Sequence, residues 1–222
     1  MSRPLAILRP EPGNAATAAR VRDAGFTPLV IPLFEVKPLH WTPPDPARFD
    51  GLLLTSANAV RHGGMGLALL RGLPVLAIGP ATAQAARAAG CDVARIGDDD
   101  FASLLRESAG FERLLWLAGQ DRTAMDHPAL AATVAVYASD PRPLADAAAL
   151  RGSVALVHSA RAGVQLAGEL DRHGVARAEV RIATISARAA QAAGAGWDAV
   201  AIASAPGDDS LIDAARPLAI DP

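Results

Sequence analysis

The chain has 222 residues, 51% of them hydrophobic and 20% charged, with a formal net charge of −2. That is the make-up of a globular protein long enough to bury most of its surface, as one large domain or two small ones. The balance of charge excludes nucleic acid or an anionic membrane surface as the main partner, since phosphate binding needs a clustered positive excess. The single cysteine, Cys91, leaves neither an intrachain disulfide nor a cysteine pair for structural zinc. No apolar run reaches the length of a membrane span, and Met1-Ser2-Arg3 leads into a strand-like stretch without a signal-peptide pattern, so a cytoplasmic protein is expected.

In chain order, Leu5 to Leu8 is an apolar run that reads as a buried strand. It ends at Arg9-Pro10-Glu11-Pro12-Gly13-Asn14, the breakers and cap residue expected before a helix. That helix runs from Ala15 to Ala24 and stops at Gly25. Residues 26–34 form a second strand region, and 36–46 an extended, proline-rich connector. The connector holds Lys37, and every other basic residue is arginine; its setting between prolines and hydrophobic residues suits a linker rather than Schiff-base chemistry. Alternation resumes with strand 51–54, helix 57–70, strand 74–78, helix 81–89 and a short strand near 92–96. Asp98-Asp99-Asp100 reads as the cap of a helix near 101–108, followed by strand 113–117, a helical patch after Asp126 and the strand Thr133 to Tyr137. A second connector at 138–143 leads to helix 144–150, strand 153–157, helix 161–172, strand 179–184, helix 187–194, strand 198–203 and helix 208–215.

Alternating strands and helices of this kind require parallel sheets with helices on both faces. The order also repeats. Gly51 to Val60 and then Val75 to Ala86 find counterparts in Val154 to Ala162 and then Ile182 to Ala193. The spacing of about a hundred residues is too long for a solenoid unit and is the size of a small domain. The proline connectors bracket the first copy, so residues 46–137 read as an α/β domain inserted into an outer α/β domain made of 1–36 plus 142–222, with 37–45 and 138–141 as hinge crossings.

In open parallel sheets, ligands bind where strands end and helix N-termini present unpaired N–H groups. The turns at those ends are Arg9, Thr55-Ser56-Ala57-Asn58, Gly79-Pro80-Ala81-Thr82, Gly119-Gln120-Asp121-Arg122, His158-Ser159-Ala160-Arg161 and Ser186-Ala187-Arg188. Helix-start amides favour anions, and arginine adds a planar fork suited to carboxylates. Taken singly, the serines, threonine and asparagine are good helix caps. Repeated across both halves, the set reads as a surface for one large ligand carrying many carboxylates. No G-x-x-x-x-G-K-[ST] loop is present and no G-x-G-x-x-G follows the first strand. Gly63-Gly64-Met65-Gly66 lies late in or just after a helix and reads as a loose helix end. His40, His62, His127, His158 and His173 lack the i, i+4 spacing of a metal pair, although His158 stands at a strand end where a ligand contact is open to it. No nucleophile-elbow motif supports hydrolase chemistry. Tyr137, the one tyrosine, ends the last strand of the inserted block beside the hinge. It is either a ligand-facing phenol able to donate a proton or hydrogen bond, or an amphipathic strand residue with an exposed hydroxyl.

Ile7-Leu8-Arg9-Pro10, Pro28-Leu29-Val30-Ile31-Pro32-Leu33, Thr55-Ser56-Ala57-Asn58-Ala59-Val60, Ala77-Ile78-Gly79-Pro80-Ala81-Thr82-Ala83 and Val134-Ala135-Val136-Tyr137 resemble, in order and spacing, the landmarks of the uroporphyrinogen-III synthase family. Members close linear hydroxymethylbilane into a macrocycle while inverting its last ring, a step of tetrapyrrole, porphyrin and heme biosynthesis. The resemblance covers almost the whole chain. It implies two similar parallel-sheet domains, flavodoxin-like or Rossmann-like, joined by a two-stranded hinge connector with the substrate between them. It further implies a cytoplasmic, monomeric lyase that acts on a small polycarboxylate, uses no metal or organic cofactor, and has no nucleic-acid or membrane partner. Tyr137 then matches the family tyrosine that assists loss of the substrate hydroxyl as water, and Thr55, Ser56, Gly79, Thr82, Ser159 and Ser186 line the cleft, many through backbone N–H groups. Arg9, Asn58, Gly119, Arg122, His158, Arg161 and Arg188 join them as substrate-binding candidates from the strand-end turns. Some positions depart from the pattern. Ser186-Ala187 and Ala189 stand where Gly-Pro and a threonine are usual, and His158 and Arg161 replace the commoner Thr and Ser; position 189 offers no hydroxyl, and whether Ser186 or Arg188 takes over its contact is left open by the resemblance. A non-enzymatic two-lobed sensor and a dinucleotide or nucleotide-sugar enzyme are the competing readings; the missing phosphate-binding glycines count against the second.

Overall fold

The computed structural model describes residues 2–97, 104, 110–122 and 124–220. Apart from Leu104, the helix expected at 101–108 and its aspartate cap lie outside the described residues. The described elements are β1 (Leu5–Ile7), α1 (Gly13–Asp23), β2 (Pro28–Val30), β3 (Phe34–Pro38), β4 (Gly51–Leu54), α2 (Ala57–His62), α3 (Gly64–Leu69), β5 (Val75–Ile78), α4 (Pro80–Ala88) and β6 (Val93–Gly97). Then follow β7 (Leu114–Gly119), β8 (Leu130–Pro141), β9 (Val154–Val157), α5 (Ala160–Arg172), β10 (Arg181–Thr184), α6 (Ala187–Ala193), β11 (Ala199–Ile202) and α7 (Asp208–Ala219).

The chain divides into two compact units, Met1–Glu35 with Asp140–Pro222, and Val36–Ser139. Both chain crossings fall inside strands, β3 and β8, which are neighbours in one sheet. The first unit carries the order β11-β10-β9-β1-β2, with parallel pairing throughout. The second sheet runs β3-β8-β7-β4-β5-β6 and is parallel from β8 to β6. Its edge strand β3 lies beside β8, where Leu39 N–H donates to Val136 O at 3.0 Å.

Strand alternation explains why both sheets are covered on two faces. In the first, Ala6, Leu8, Ala155, Val157 and Ile182 meet Leu166 and Leu170 of α5 and Ala189 and Ala193 of α6. On the other face Leu5, Ile7, Val154 and Leu156 meet Val21 of α1 and Leu211, Ile212 and Ala215 of α7. In the second, Leu52, Leu54, Leu115 and Leu117 pack under α2, α3 and α4, while Leu53, Leu76, Trp116 and Ala118 face the opposite side. Among the described residues, no helix is long and apolar enough to cross a membrane.

Three local expectations are corrected. The helix at 57–70 is two helices, because Gly64 takes φ +55°, a left-handed conformation that glycine adopts without strain. The patch after Asp126 is a turn leading into β8, whose run from Leu130 alternates in burial as a strand does. Residues 144–150 make only a single 3-10 turn at Ala148–Leu150, since Asp146 Oδ1 accepts from Ala148 N–H and the Leu144 N–H is taken by Glu169 Oε2 at 2.8 Å.

Candidate active site

In the second unit, the strand ends gather mostly hydroxyl, glycine and aromatic groups. Ser56 caps α2 by accepting from Asn58 N–H at 3.2 Å, and Asn58 Oδ1 accepts from Arg61 Nη1 at 3.1 Å. Gly79 begins α4 at φ +80°, a conformation open to glycine, and donates its own N–H to Gly97 O at 2.8 Å. The amides left for a ligand at this turn are therefore those of the first turn of α4 rather than that of Gly79. Thr82, one turn in, is buried.

Tyr137 does not end its strand, because β8 continues to Pro141. It lies level with Gly119, the last residue of β7, across an irregularity in the register. A side chain at Gly119 would place its Cβ 2.8 Å from Tyr137 Cζ and 3.0 Å from the phenol oxygen, so the ring occupies the space that a bare glycine leaves at the strand end. The His62 ring lies 6.2 Å from that of Tyr137, tilted by 36°. Burial and then the charge of Arg61 push His62 below the usual imidazole range, which favours its neutral form. Trp116 Nε1 donates to Thr55 Oγ1 at 3.1 Å, Arg122 stacks over the Trp116 ring at 5.8 Å, and Arg122 Nη1 donates to Gly119 O at 3.2 Å. Thr55, Gly119, Arg122 and Tyr137 thus belong to one connected group, which also includes Trp116 and His62. Neither of those two was singled out from sequence. His62 follows Asn58 by four residues and shares its helix face, a spacing that could have flagged it; Trp116 carries no comparable signal.

The first unit builds its strand ends from ions. Asp208, the first residue of α7, accepts from Arg9 Nη1 at 3.1 Å through Oδ1, and His158 Nε2 lies 2.9 Å from the same oxygen. Oδ2 accepts from Thr17 Oγ1 at 2.7 Å and Arg20 Nη1 at 2.9 Å. Burial alone would raise the Asp208 pKa, but the hydrogen bonds from His158 and Thr17 and the charges of His158 and Arg9 outweigh it and hold the carboxyl far below the usual carboxylate range. The other ring nitrogen of His158 lies 3.2 Å from Leu156 O, so the imidazole is fixed at both ends. Arg9 and His158, both substrate-binding candidates, therefore meet on an aspartate that sequence reasoning placed only inside a helix.

The remaining candidates sit at the neighbouring strand ends. Ser159 caps α5 by accepting from Ala162 N–H at 3.1 Å, and Ser186 caps α6 by accepting from Ala189 N–H at 3.3 Å. Arg161 lies 4.7 Å over the Phe34 ring, and Arg188 is exposed. No group of three or more His, Cys, Asp or Glu suited to a metal ion occurs among the described residues.

The family profile described as Uroporphyrinogen-III synthase HemD matches residues 15–213. The chain belongs to the uroporphyrinogen-III synthase family. Its fold is similar to that of the uroporphyrinogen-III synthetase crystal structure from Helicobacter pylori 26695, with a TM-score of 0.69, 17% identity, and coverage of 97% of this chain and 99% of that one. It is also similar to a mutant uroporphyrinogen III synthase from the extremely thermophilic bacterium Thermus thermophilus, with a TM-score of 0.52, 20% identity, and 97% of each chain covered. Comparison with curated proteins gives no significant match. Uroporphyrinogen-III synthases are lyases of porphyrin and heme biosynthesis, and this member combines the family fold with an ionic cluster at one set of strand ends and a largely aromatic group at the other.

Proposed function

We propose that the protein cyclises hydroxymethylbilane to uroporphyrinogen III, inverting the last pyrrole ring and releasing water. The substrate is held by the strand-end turns of both units, in the interdomain cleft that the family resemblance implies. The observation that carries the reading is the family match over residues 15–213. The local chemistry agrees with it: helix-start amides and arginines suit a polycarboxylate, and a phenol stands beside the end of β7.

Tyr137 transfers its phenolic proton to the departing hydroxyl, so that the C–O bond breaks and water leaves; the proton released when the closing pyrrole ring regains its aromaticity returns to the phenolate. The resulting electrophile closes unaided to the type I isomer. The protein instead holds the chain so that attack falls on the substituted carbon of the last ring, giving a spiro intermediate that reopens and recloses with that ring inverted. Such catalysis works by restricting conformation and placing charge, and needs few acid–base groups.

Freshly prepared hydroxymethylbilane tests the reading. The purified protein should yield the type III isomer, whereas the type I isomer alone would overturn it and favour a sensor. Tyr137→Phe should retain the fold and lose roughly tenfold or more in turnover, as expected for one hydrogen bond to a reacting group. Wild-type turnover in that variant would remove Tyr137 from the mechanism.

A further inference from the structure

We propose that Asp208 is a positioning residue for this reaction: its carboxylate, braced by His158 at the carboxyl end of β9, fixes Arg9 at the carboxyl end of the adjacent strand β1 to receive a substrate carboxylate. The inference rests on the functional reading above and deepens it. Each oxygen of Asp208 takes two partners, and the oxygen shared by Arg9 Nη1 at 3.1 Å and His158 Nε2 at 2.9 Å ties two otherwise separate side chains to one point. The second oxygen anchors the carboxylate to α1 through Thr17 at 2.7 Å and Arg20 at 2.9 Å. Its place in the first turn of α7 adds the favourable end of a helix dipole.

The partners are not equivalent. Arg20 is also approached by Asp209, whose carboxylate lies 3.6 Å from its Nε. Arg9 contacts Asp208 through Nη1, while Nε, Cζ and Nη2 lie over the bare Gly13, where a Cβ would come within 2.5 Å of Nε. The Arg9 side chain remains 38% exposed although its anchor, Asp208, is only 8% exposed. An arginine with a buried tether and an open flank is already ordered before a ligand arrives, and the entropy of fixing a long side chain need not be lost on binding. Asp208 also cancels positive charge, and this makes the inference sharp: simple neutralisation predicts that its removal tightens binding of an anion, whereas positioning predicts the opposite.

The test compares Asp208→Asn and Asp208→Glu with the wild type in the hydroxymethylbilane assay, reading KM, kcat and isomer ratio, with cooperative unfolding as the check on folding. Asp208→Asn should raise KM about fivefold or more at little change in kcat, the pattern of lost binding rather than lost chemistry, and should release more type I product. Asp208→Glu keeps the charge, and so serves if the asparagine variant does not fold; it shifts the anchor by a methylene and should raise KM by about threefold. In an Arg9→Ala background, Asp208→Asn should add little, because the two act as one unit. An unchanged or lowered KM in the folded variants, or full additivity with Arg9→Ala, would overturn the proposal while leaving the functional reading intact. A wild-type protein that gave only type I product would overturn both.

Discussion

The two units share a parallel topology but equip their strand ends by opposite means. At the ends of β4 and β7 the second unit presents Thr55, hydrogen-bonded to the Trp116 indole, and Gly119, with Tyr137 of β8 beside it and His62, pushed toward its neutral form, near the Tyr137 ring. At the ends of β1 and β9 the first unit presents Arg9 and His158, which with Arg20 of α1 converge on one aspartate. A fold that leaves strand ends open does not dictate what fills them, and here one sheet ends on hydroxyl and aromatic groups while the other ends on an ionic cluster.

Acid should separate the units most clearly. Among the described residues, the carboxylates held below their usual range, Asp208, Glu169 and Asp171, all lie in the first unit. For Glu169, burial opposes the shift, but the Leu144 N–H, the Arg172 hydrogen bond and the charges of Arg172 and His173 outweigh it. A carboxylate with a lowered folded-state pKa contributes stability that is fully present above its unfolded value of about 4 and is lost as pH falls through the folded value. Protonating Asp208 alone should cost the first unit on the order of 2–3 kcal/mol. Amide hydrogen exchange between pH 5 and about pH 2 should therefore show strands β1, β9 and β10 losing protection before β4, β5 and β7. Loss in the reverse order would break the comparison.

The next largest effect is expected at Gly119. The Cβ of Gly119→Ala meets an aromatic ring fixed in β8, so the phenol must move, and turnover should fall about as far as in Tyr137→Phe, roughly tenfold or more. Gly13→Ala is the matching change in the first unit, but it meets the far end of a flexible arginine that can swing aside. Its effect should be smaller, a rise in KM of about threefold without loss of fold. Steady-state kinetics on both variants check the contrast, and equal losses in kcat would contradict it.

Much of the fold was legible because its strands carry their signal locally. Gly51–Leu54 and Val154–Val157 are buried throughout, so their hydrophobic runs mark strands covered on two faces. The caps Ser56, Ser159 and Ser186 were equally plain, each a hydroxyl just before a helix. The break at Gly64 depended on a backbone angle, and the loss of helix at 144–150 on a hydrogen bond donated to a carboxylate in α5, neither of which local pattern records. The site was legible only by halves. Arg9 and His158 stood at strand ends and Tyr137 in a recognisable strand, but Asp208 meets Arg9, Thr17, Arg20 and His158 across 199, 191, 188 and 50 residues of chain, and Trp116 meets Thr55 across 61. Sequence showed only the start of a helix at 208; the fold turned its aspartate into the meeting point of Arg9, Thr17, Arg20 and His158.

A crystal structure with uroporphyrinogen III bound, grown without oxygen, addresses the central claim most directly. The account predicts a product whose carboxylates meet Arg9 from the first unit and the first-turn amides of α4 from the second, with the macrocycle beside Gly119 and Tyr137. A product seated away from these strand ends, or touching the turns of one unit alone, would contradict it.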